Sequence, residues 1–325
     1  MKIGSFDINH GVSLAPMAGY TDSAMRRICH RLGADYSVTE MVSAKAVVYG
    51  DKKTYSLAAI SEDEGPVAIQ IFGSEPEVMA EAAAKLACPS VGVPPVAIDI
   101  NMGCPVRKIF TNGEGSALMR SPELIEHIVS AVSRAVSIPV TVKIRAGVDR
   151  EHINAVECAL AAESGGASAV CVHGRTTKDM YTGKADRNVI RAVKEALRIP
   201  VSANGDILTA LDARNMLDQT GADGLAVGRG AVGNPFIFNE IRAMLDGKEY
   251  TPPTVKESVD LALLQLRYAI EDKGEYTAVT ESRKQIALYL HKFRGAAALR
   301  ADINRAVTYR EVEEVMHRIP EGDGE

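Results

Sequence analysis

The chain has 325 residues and a formal net charge of -5, with 46% hydrophobic and 24% charged residues. This length fits one large α/β barrel with an appendage or two ordinary domains, and the composition argues against disordered, collagen-like and coiled-coil proteins. No apolar run approaches the roughly 18 to 20 residues of a membrane helix, and residues 1–9 lack the pattern of a signal peptide. We therefore expect a cytoplasmic protein without a membrane segment.

Apolar runs of the kind that form buried parallel strands recur eight times along the first two thirds of the chain. The predicted strands are residues 12–16, 36–40, 67–72, 96–101, 140–145, 169–173, 201–204 and 224–228. The predicted helices between and after them are residues 23–32, 76–87, 121–136, 153–165, 187–197, 208–220 and 235–246. Only the segment 44–60 has no clear pattern.

The alternation of strands and helices predicts an α/β fold of the (β/α)₈ TIM-barrel type. A doubly wound parallel sheet is the competing fold, and a glycine-rich turn after its first strand normally marks it. Here the first strand ends in Pro16-Met17-Ala18-Gly19 instead. The sequence therefore favours the barrel, which we assign to residues 1–248.

A proline-rich stretch at residues 250–254 ends the barrel pattern, and no strand signal follows it. The helical patterns beyond it cover residues 258–273, 282–299 and 309–318. We therefore expect residues 249–325 to form a second domain, a small all-α helical bundle.

The predicted bundle contains the main concentration of positive charge. Residues 283–310 hold seven Lys and Arg against one acid, Asp302, so their local charge is +6 and the rest of the chain carries -11. One concentrated basic element in an acidic protein is typical of polyanion binding. A solvated helix face is the alternative interpretation.

In a TIM barrel the C-terminal ends of the strands form one ring, where active sites lie. The polar members of this predicted ring include Glu40, Gln70, Asn101, Cys104, Lys143, Arg145, His173, Arg175, Asn204, Asp206 and Arg229. Lys and Arg are rarely buried without a partner, so Lys143 and Arg145 indicate an anionic or electron-rich ligand. Internal salt bridges are the alternative explanation for these two cations.

The ends of the seventh and eighth strands read Asn204-Gly205-Asp206-Ile207 and Gly228-Arg229-Gly230-Ala231. Glycines there allow backbone N–H groups to approach a phosphate, a following helix N-terminus adds positive potential, and an arginine can bind the oxygens. The two ends predict a phosphate site, with tight turns alone as the alternative.

Five cysteines are widely spaced without a C-x-x-C pair, so we predict neither a metal site nor a redox disulfide. We expect Cys29, Cys88, Cys158 and Cys171, on predicted helices or a strand, to be buried structural residues. Cys104 differs because it follows the fourth strand in Asn101-Met102-Gly103-Cys104-Pro105, at the predicted mouth. Its thiol could donate a proton to a carbanion; it could also be a nucleophile, although no dedicated base is recognisable nearby.

Several segments, in this order, resemble one known family. They are Leu-Ala-Pro-Met-Ala-Gly-Tyr-Thr-Asp (14–22), Thr-Glu-Met-Val (39–42), Val-Ala-Ile-Gln-Ile-Phe-Gly (67–73), Asp-Ile-Asn-Met-Gly-Cys-Pro (99–105), Gly-Ser-Ala-Leu-Met (115–119), Val-Lys-Ile-Arg-Ala-Gly (142–147), Val-His-Gly-Arg-Thr (172–176), Ala-Asn-Gly-Asp-Ile (203–207) and Val-Gly-Arg-Gly-Ala (227–231). The chain is similar over nearly its whole length to the flavin-dependent tRNA-dihydrouridine synthases, and more narrowly to their bacterial B-type branch.

The resemblance implies an FMN-binding barrel followed by a helical domain that helps to hold tRNA. The residues implied to bind FMN are Pro16, Met17, Ala18, Gln70, Lys143, His173, Asn204, Gly205, Asp206, Gly228 and Arg229. The implied reaction reduces the C5=C6 bond of a uracil in tRNA, with NADPH as the transient reductant of the flavin. Hydride would reach C6 from flavin N5, and Cys104 would protonate C5.

The same resemblance suggests how tRNA is held. Because a stacked base cannot reach the barrel floor, the uridine must be extruded, and Asn101, Arg145 and Arg175 are expected to hold it. The residues expected to contact phosphates are Arg107, Lys108, Lys292, Arg294 and Arg300. We expect no obligate protein partner.

The chain departs from the family pattern at Glu114, Arg187, Gln285 and Leu288, which bears on how tRNA docks. Two other functions remain open at this point. One is an FMN-dependent dehydrogenase of a free pyrimidine, although a small substrate does not require a basic bundle. The other is a noncatalytic RNA-binding module, against which Cys104 and Lys143 argue.

Overall fold

In a computed structural model that describes residues 1–4, 6–89, 92–290 and 296–319, eight parallel strands close into a barrel. These strands, labelled β1 to β8, are Val12–Leu14, Tyr36–Val38, Val67–Phe72, Ala97–Met102, Val140–Arg145, Ala169–His173, Val201–Asn204 and Gly224–Val227. β8 pairs with β1, so the barrel sheet closes. The predicted TIM barrel is confirmed, and each strand begins within one residue of its predicted start.

The register of the strands brings the polar residues to two neighbouring levels. His173, at the end of β6, pairs with Arg145 on one side and with Asn204 on the other. Lys143, two residues before the end of β5, pairs with Asn101 on β4 and with Cys171 on β6. The strands are parallel, so the first level lies at the C-terminal mouth and the second directly below it.

Helices surround the barrel and continue beyond it. Helices α1 to α14 are Ser23–Arg31, Ala44–Val48, Lys52–Ala58, Pro76–Ala87, Arg107–Thr111, Pro122–Ala135, Ala155–Ser164, Arg187–Ala196, Ala210–Thr220, Ile237–Leu245, Val255–Lys273, Glu275–Ile286, Ala296–Ile303 and Tyr309–Met316. The local chemistry explains their bounds: before α6, for example, Ser121 Oγ accepts the Leu124 N–H and Pro122 occupies the first turn. The unclear segment 44–60 forms the two short helices α2 and α3.

The predicted helix 282–299 is wrong in its bounds. α11 ends at Gly274, which has a φ of 76°, and α12 follows at once from Glu275. α12 then passes into a 3₁₀ turn, Ala287–Leu290, and α13 begins at Ala296. Apolar periodicity does not show such a break, because glycine accepts the positive φ without a loop.

The helices α11 to α14 have a hydrophobic core of their own, built from residues such as Leu266, Ile286 and Ile303. They also pack on the barrel, where α1 meets α11 around Ile28 and Ala269. The predicted division at residue 248 falls between α10 and α11, and it stays a prediction.

Two of the four residues that depart from the family pattern, Gln285 and Leu288, lie in this helical region, and packing explains both. Gln285 is 3% exposed and accepts a hydrogen bond from Gln265 Nε2, while the Tyr289 hydroxyl donates to Gln265 Oε1. Leu288 lies against Gly233, where an added Cβ would come within 2.5 Å of the Leu288 carbonyl carbon. Both residues therefore serve the bundle and its contact with the barrel.

A buried ion pair ties α1 to the segment after α3. Arg26 Nε donates to Glu64 Oε2 at 2.6 Å, and the two side chains are 1% and 0% exposed. Removing one charge of a buried pair leaves the other without compensation, so Glu64→Gln should lower the free energy of unfolding by about 3 kcal/mol. Urea unfolding measures it. Glu314→Gln, which breaks the exposed pair with Arg310, should cost under about 1 kcal/mol and is the matched control. Equal losses in both variants would contradict the expectation.

Candidate functional site

The loop after β4 holds Cys104 by its backbone. Asn101 Oδ1 accepts the N–H groups of Gly103 at 3.2 Å and Cys104 at 2.9 Å. Arg145 Nε donates to the Gly103 carbonyl at 2.8 Å, and Ser116 Oγ donates to the Cys104 carbonyl at 2.8 Å. The loop therefore presents one thiol in a fixed position at the mouth.

The environment of Cys104 favours the protonated thiol. The residue is 9% exposed, and burial raises the pKa of its thiol, whereas the Val106 N–H and the Arg145 guanidinium oppose that rise. A raised pKa keeps the group a thiol at neutral pH. It is therefore suited to donate a proton, and less suited to act as a thiolate nucleophile.

Lys143 brings a cation into the barrel mouth beside Cys171. Its ammonium donates to Asn204 Oδ1 at 3.0 Å, and Asn204 Nδ2 donates to the Ala226 carbonyl at 2.7 Å. Burial lowers the pKa of Lys143, and Arg145 lowers it further, whereas Cys171 and Asp99 oppose the change. An ammonium has three donors, so Lys143 retains hydrogen-bonding capacity for an electron-rich ligand.

His173 is 7% exposed at the end of β6. Burial lowers the pKa of its imidazole far below the usual range, and Lys143 and Arg145 lower it further. The ring is therefore neutral and can accept or donate a hydrogen bond without adding charge. Gly205 lies beside the imidazole with a φ of 117°. A Cβ added to Gly205 would come within 2.9 Å of His173 Cδ2, so the close packing requires a glycine there.

The predicted phosphate site fits an FMN phosphate end. A Cβ at Gly228 would make only ordinary van der Waals contacts, the nearest with Met17 Sδ at 3.6 Å and Asn204 Nδ2 at 4.0 Å. Without a Cβ, this side of the backbone can be approached closely by a ligand. Arg229 is 50% exposed there, with Nη2 3.4 Å from Asp206 Oδ1. The glycine, the cation and the neighbouring residues thus match the chemistry of the group.

The side chain of Asp206 is engaged by protein groups beside the predicted phosphate site, and its expected part in binding FMN stays a prediction. Its carboxylate accepts the Ala185 N–H at 2.8 Å and Arg175 Nη2 at 2.7 Å. Burial alone would raise its pKa, but these hydrogen bonds and the charge of Arg229 outweigh it and lower the pKa. The side chain fixes neighbouring groups around the site.

Arg145 and Arg175 brace the loop after β6. Arg145 Nη1 donates to the Thr176 and Met180 carbonyls, each at 2.9 Å. Arg175 donates to the Thr182 carbonyl at 2.9 Å and the Gly183 carbonyl at 2.6 Å. Both arginines are buried. Their expected contact with the extruded nucleotide stays a prediction, and this bracing role was not foreseen.

Sequence reasoning also missed Tyr181. This ring is 55% exposed, with the guanidinium carbons of Arg229 and Arg145 at 5.2 and 5.9 Å from its centroid. The available signal was an aromatic residue two positions before a glycine, in a loop at the mouth, where functional residues concentrate. An exposed aromatic ring flanked by two cations can stack on a nucleobase.

The predicted phosphate contacts fall into three groups. Arg107 and Lys108 are exposed on the short helix α5, close to Cys104 in sequence. Arg300 is half-buried on α13 and has no acidic partner in the part of the chain that the structure describes. Lys292 and Arg294 lie outside the described residues. Other cations of the basic segment are engaged locally, as Arg283 is with the Ala306 carbonyl.

The other two residues that depart from the family pattern, Glu114 and Arg187, take no part in the hydrogen bonds that hold the Cys104 loop. Arg187 donates to Gln219 Oε1 at 2.9 Å. Glu114 is 6% exposed, and burial raises its pKa while Lys45 opposes the rise.

One cysteine expectation is wrong: Cys88 is exposed, because α4 ends at Ala87 and leaves it on the turn. Cys29 and Cys158 are buried as expected, and Cys171 is half-buried. Within the described ranges, no group of three or more His, Cys, Asp or Glu residues could hold a metal ion. In the same ranges, none of the helices has the length and apolarity needed to cross a membrane.

The chain is similar to known proteins over nearly all its length. The dihydrouridine synthase (Dus) family model matches residues 13–321. tRNA-dihydrouridine synthase B from Shewanella oneidensis is 42% identical over 312 residues, covering 96% of this chain and 95% of that protein. Proteins of the same name from Pseudomonas aeruginosa and Vibrio cholerae are 41% and 40% identical, covering 94% and 95% of this chain and 91% and 95% of theirs.

Solved structures share the fold at low sequence identity. Histamine dehydrogenase from Rhizobium sp. 4-9 has a TM-score of 0.57 and 14% identity, covering 82% of this chain and 50% of that chain. The old yellow enzyme homologue from Zymomonas mobilis has a TM-score of 0.50 and 11% identity, covering 79% of this chain and 94% of its own. These likenesses concern the barrel fold alone.

Proposed function

Because this chain belongs to the dihydrouridine synthase family, we propose that it is an oxidoreductase that converts uridines of tRNA to dihydrouridine. The observation that carries the proposal is the buried Cys104 thiol, held by backbone hydrogen bonds at the same barrel mouth as Lys143 and Asn204. A proton donor and a cationic ligand site at one mouth are what reduction of an electron-poor C=C bond requires.

We assign FMN as the bound cofactor and NADPH as its reductant. When bound, FMN supplies the hydride that adds to C6 of the uracil. Met17 and Gly228 border the space for it, Lys143 and Gln70 are assigned to its pyrimidine edge, and Arg229 to its phosphate. A cation beside the pyrimidine edge stabilises negative charge that develops there.

Cys104 supplies the proton at C5. Burial keeps the thiol protonated, and the bonds from Asn101 and Ser116 fix the loop that carries it. The extruded uridine enters between Tyr181 and the Cys104 loop, where aromatic stacking can replace the stacking that the base loses in tRNA. The neutral His173 lines the same mouth without competing for the proton.

The proposal is tested by incubating the purified protein with FMN, NADPH and tRNA lacking modifications. Digestion and mass spectrometry should detect nucleosides that have gained two hydrogens, only when all three are present. Reduction of free uridine or orotate at a comparable rate, with tRNA left unmodified, would favour the free-pyrimidine dehydrogenase. Tight tRNA binding without any reduction would favour the noncatalytic module. Since tRNA is the proposed substrate, we also propose the cytoplasm as the compartment.

The helical domain is proposed to bind tRNA phosphates. Since phosphate contacts release counterions, tRNA affinity should fall as salt rises, and Arg300→Gln should reduce the slope of log affinity against log salt by about one unit. Arg310→Gln is the matched control, because Arg310 already pairs with Glu314 at 2.9 Å and should leave the slope unchanged. Fluorescence anisotropy across a salt series measures it. An affinity that does not depend on salt would overturn the assignment.

A further inference from the structure

One buried acid near the active site has no role in the reaction described so far. Asp99 lies on β4 and is 3% exposed. Its Oδ2 accepts Gln70 Nε2 at 2.6 Å, and its Oδ1 accepts the Thr141 hydroxyl at 2.5 Å. Burying a carboxylate costs free energy even when it accepts hydrogen bonds, so the presence of Asp99 at this position calls for an explanation.

The first bond sets the direction of a chain of amides. A carboxylate can only accept, so the NH₂ group of Gln70 must face Asp99 and its carbonyl must face away. That carbonyl accepts Asn101 Nδ2 at 2.8 Å. Asn101 in turn has its carbonyl directed to the N–H groups of Gly103 and Cys104. The acceptor at one end of the chain and the two backbone donors at the other therefore specify the same orientation of both amides.

An amide side chain without a fixed partner can rotate end for end at little cost in shape. If Gln70 rotated, its NH₂ would face Asn101, and Asn101 would have to rotate as well. Its NH₂ would then oppose the backbone N–H of Cys104, placing two donors against each other. The loop could relieve that conflict only by moving.

We propose that Asp99 is a positioning residue that holds the Cys104 thiol in place through Gln70 and Asn101. The inference rests on the proposed function, since it takes Cys104 to be the proton donor. Asp99 touches neither the thiol nor the loop directly, so its effect is transmitted by the two amides. Thr141, by contrast, bonds the same acid but lies outside the chain to Cys104.

The charged and titratable neighbours are compatible with this role. Burial raises the pKa of Asp99, whereas its bonds from Thr141 and Gln70 and the charge of Lys143 oppose the rise. Tyr36 and Cys171 also face Asp99 across the barrel interior. At the other end of the chain, Arg145 is the cation that acts on Cys104. Both carboxylate oxygens accept from neutral donors, which is the arrangement of an ionised acid.

The test compares Asp99→Leu, Asp99→Asn and Thr141→Val. The readout is the pH dependence of alkylation of Cys104 by iodoacetamide, followed by mass spectrometry of its peptide, with the exposed Cys88 as internal control. When the loop moves, the thiol loses both the burial that raises its pKa and the Val106 N–H that lowers it; burial is the larger cause, so the midpoint of Asp99→Leu should shift to lower pH. Its single-turnover rate with tRNA should fall on the order of tenfold to a hundredfold.

Asp99→Asn should shift the midpoint in the same direction by less, since its amide oxygen is a weaker acceptor than a carboxylate. This variant decides the question if Asp99→Leu does not fold. Thr141→Val loses a buried hydrogen bond to the same acid and should leave the midpoint in place, even where its melting temperature falls. Unchanged midpoints in folded Asp99 variants, or an equal shift in Thr141→Val, would overturn the proposal. Alkylation needs no tRNA, so this outcome is separable from failure of the proposed function.

Discussion

Replacing Cys104 by alanine should slow the transfer of reducing equivalents to tRNA by about 10² to 10⁴-fold, the range of a lost general acid. The thiol is the acidic group that the loop after β4 fixes at the mouth, and the alanine variant keeps the backbone bonds to Asn101 and Ser116. FMN content and tRNA affinity should therefore persist. Single-turnover oxidation by tRNA, measured by flavin absorbance, separates the chemical step from binding.

The pH dependence gives the same assignment a second test. Since the pKa of Cys104 is raised by burial, the thiol stays protonated at neutral pH, and the wild-type rate should decline only above its ordinary pKa of about 8.5. The alkaline decline should be absent in Cys104→Ala. Cys88→Ala, which removes an exposed thiol from the turn after α4, is the matched control and should behave as wild type. Unchanged turnover in Cys104→Ala would exclude the proton-donor role.

Replacing Lys143 by methionine should weaken FMN binding and slow the reaction with tRNA by about 10²-fold, the usual cost of losing one preorganised electrostatic contact. Methionine keeps the unbranched shape of the lysine stem but removes the ammonium that donates to Asn204. Because the side chain is half-buried in the barrel mouth, its charge acts through less water than a charge on the protein surface. FMN dissociation constants from fluorescence titration and single-turnover rates measure the two effects.

Lys178→Met is the control for this substitution. Lys178 is 73% exposed and pairs with Asp149 on the outside of the mouth, so its loss should change neither FMN affinity nor rate. If Lys143→Met had the same FMN affinity and turnover as the control, the Lys143 ammonium would serve only the contact with Asn204. The cofactor assignment would then require another cation.

The barrel was predictable because parallel strands buried on both faces are near-continuous apolar runs, which stand out in the sequence. Once eight such runs are counted, the fold dictates that their polar C-terminal residues share one mouth. Cys104, Lys143 and His173 could therefore be assigned to one mouth from the sequence alone. The bounds of α12 could not, because Gly274 joins two helices without a loop.

The partners of each side chain lay beyond sequence reasoning. Arg145 and Arg175 are cations at strand ends, and this pattern fits contact with a ligand as well as it fits hydrogen bonds that brace a loop. The position of the Tyr181 ring depends on the fold of a loop that has no regular secondary structure. Gln285 was expected to bear on tRNA docking, but its buried hydrogen bond with Gln265 is a tertiary contact between two helices. Such contacts join residues far apart in sequence, and periodicity contains no information about them.

An anaerobic experiment tests whether tRNA is the substrate of the reduced flavin. The purified protein with bound flavin is photoreduced, and tRNA lacking modifications is added while the absorbance of oxidised flavin is followed, with free uridine and orotate as comparators. Oxidised flavin should reappear rapidly with tRNA alone, and the tRNA should contain dihydrouridine afterwards. Reoxidation by a free pyrimidine but not by tRNA would exclude the proposed activity, as would a protein that neither retains nor binds flavin.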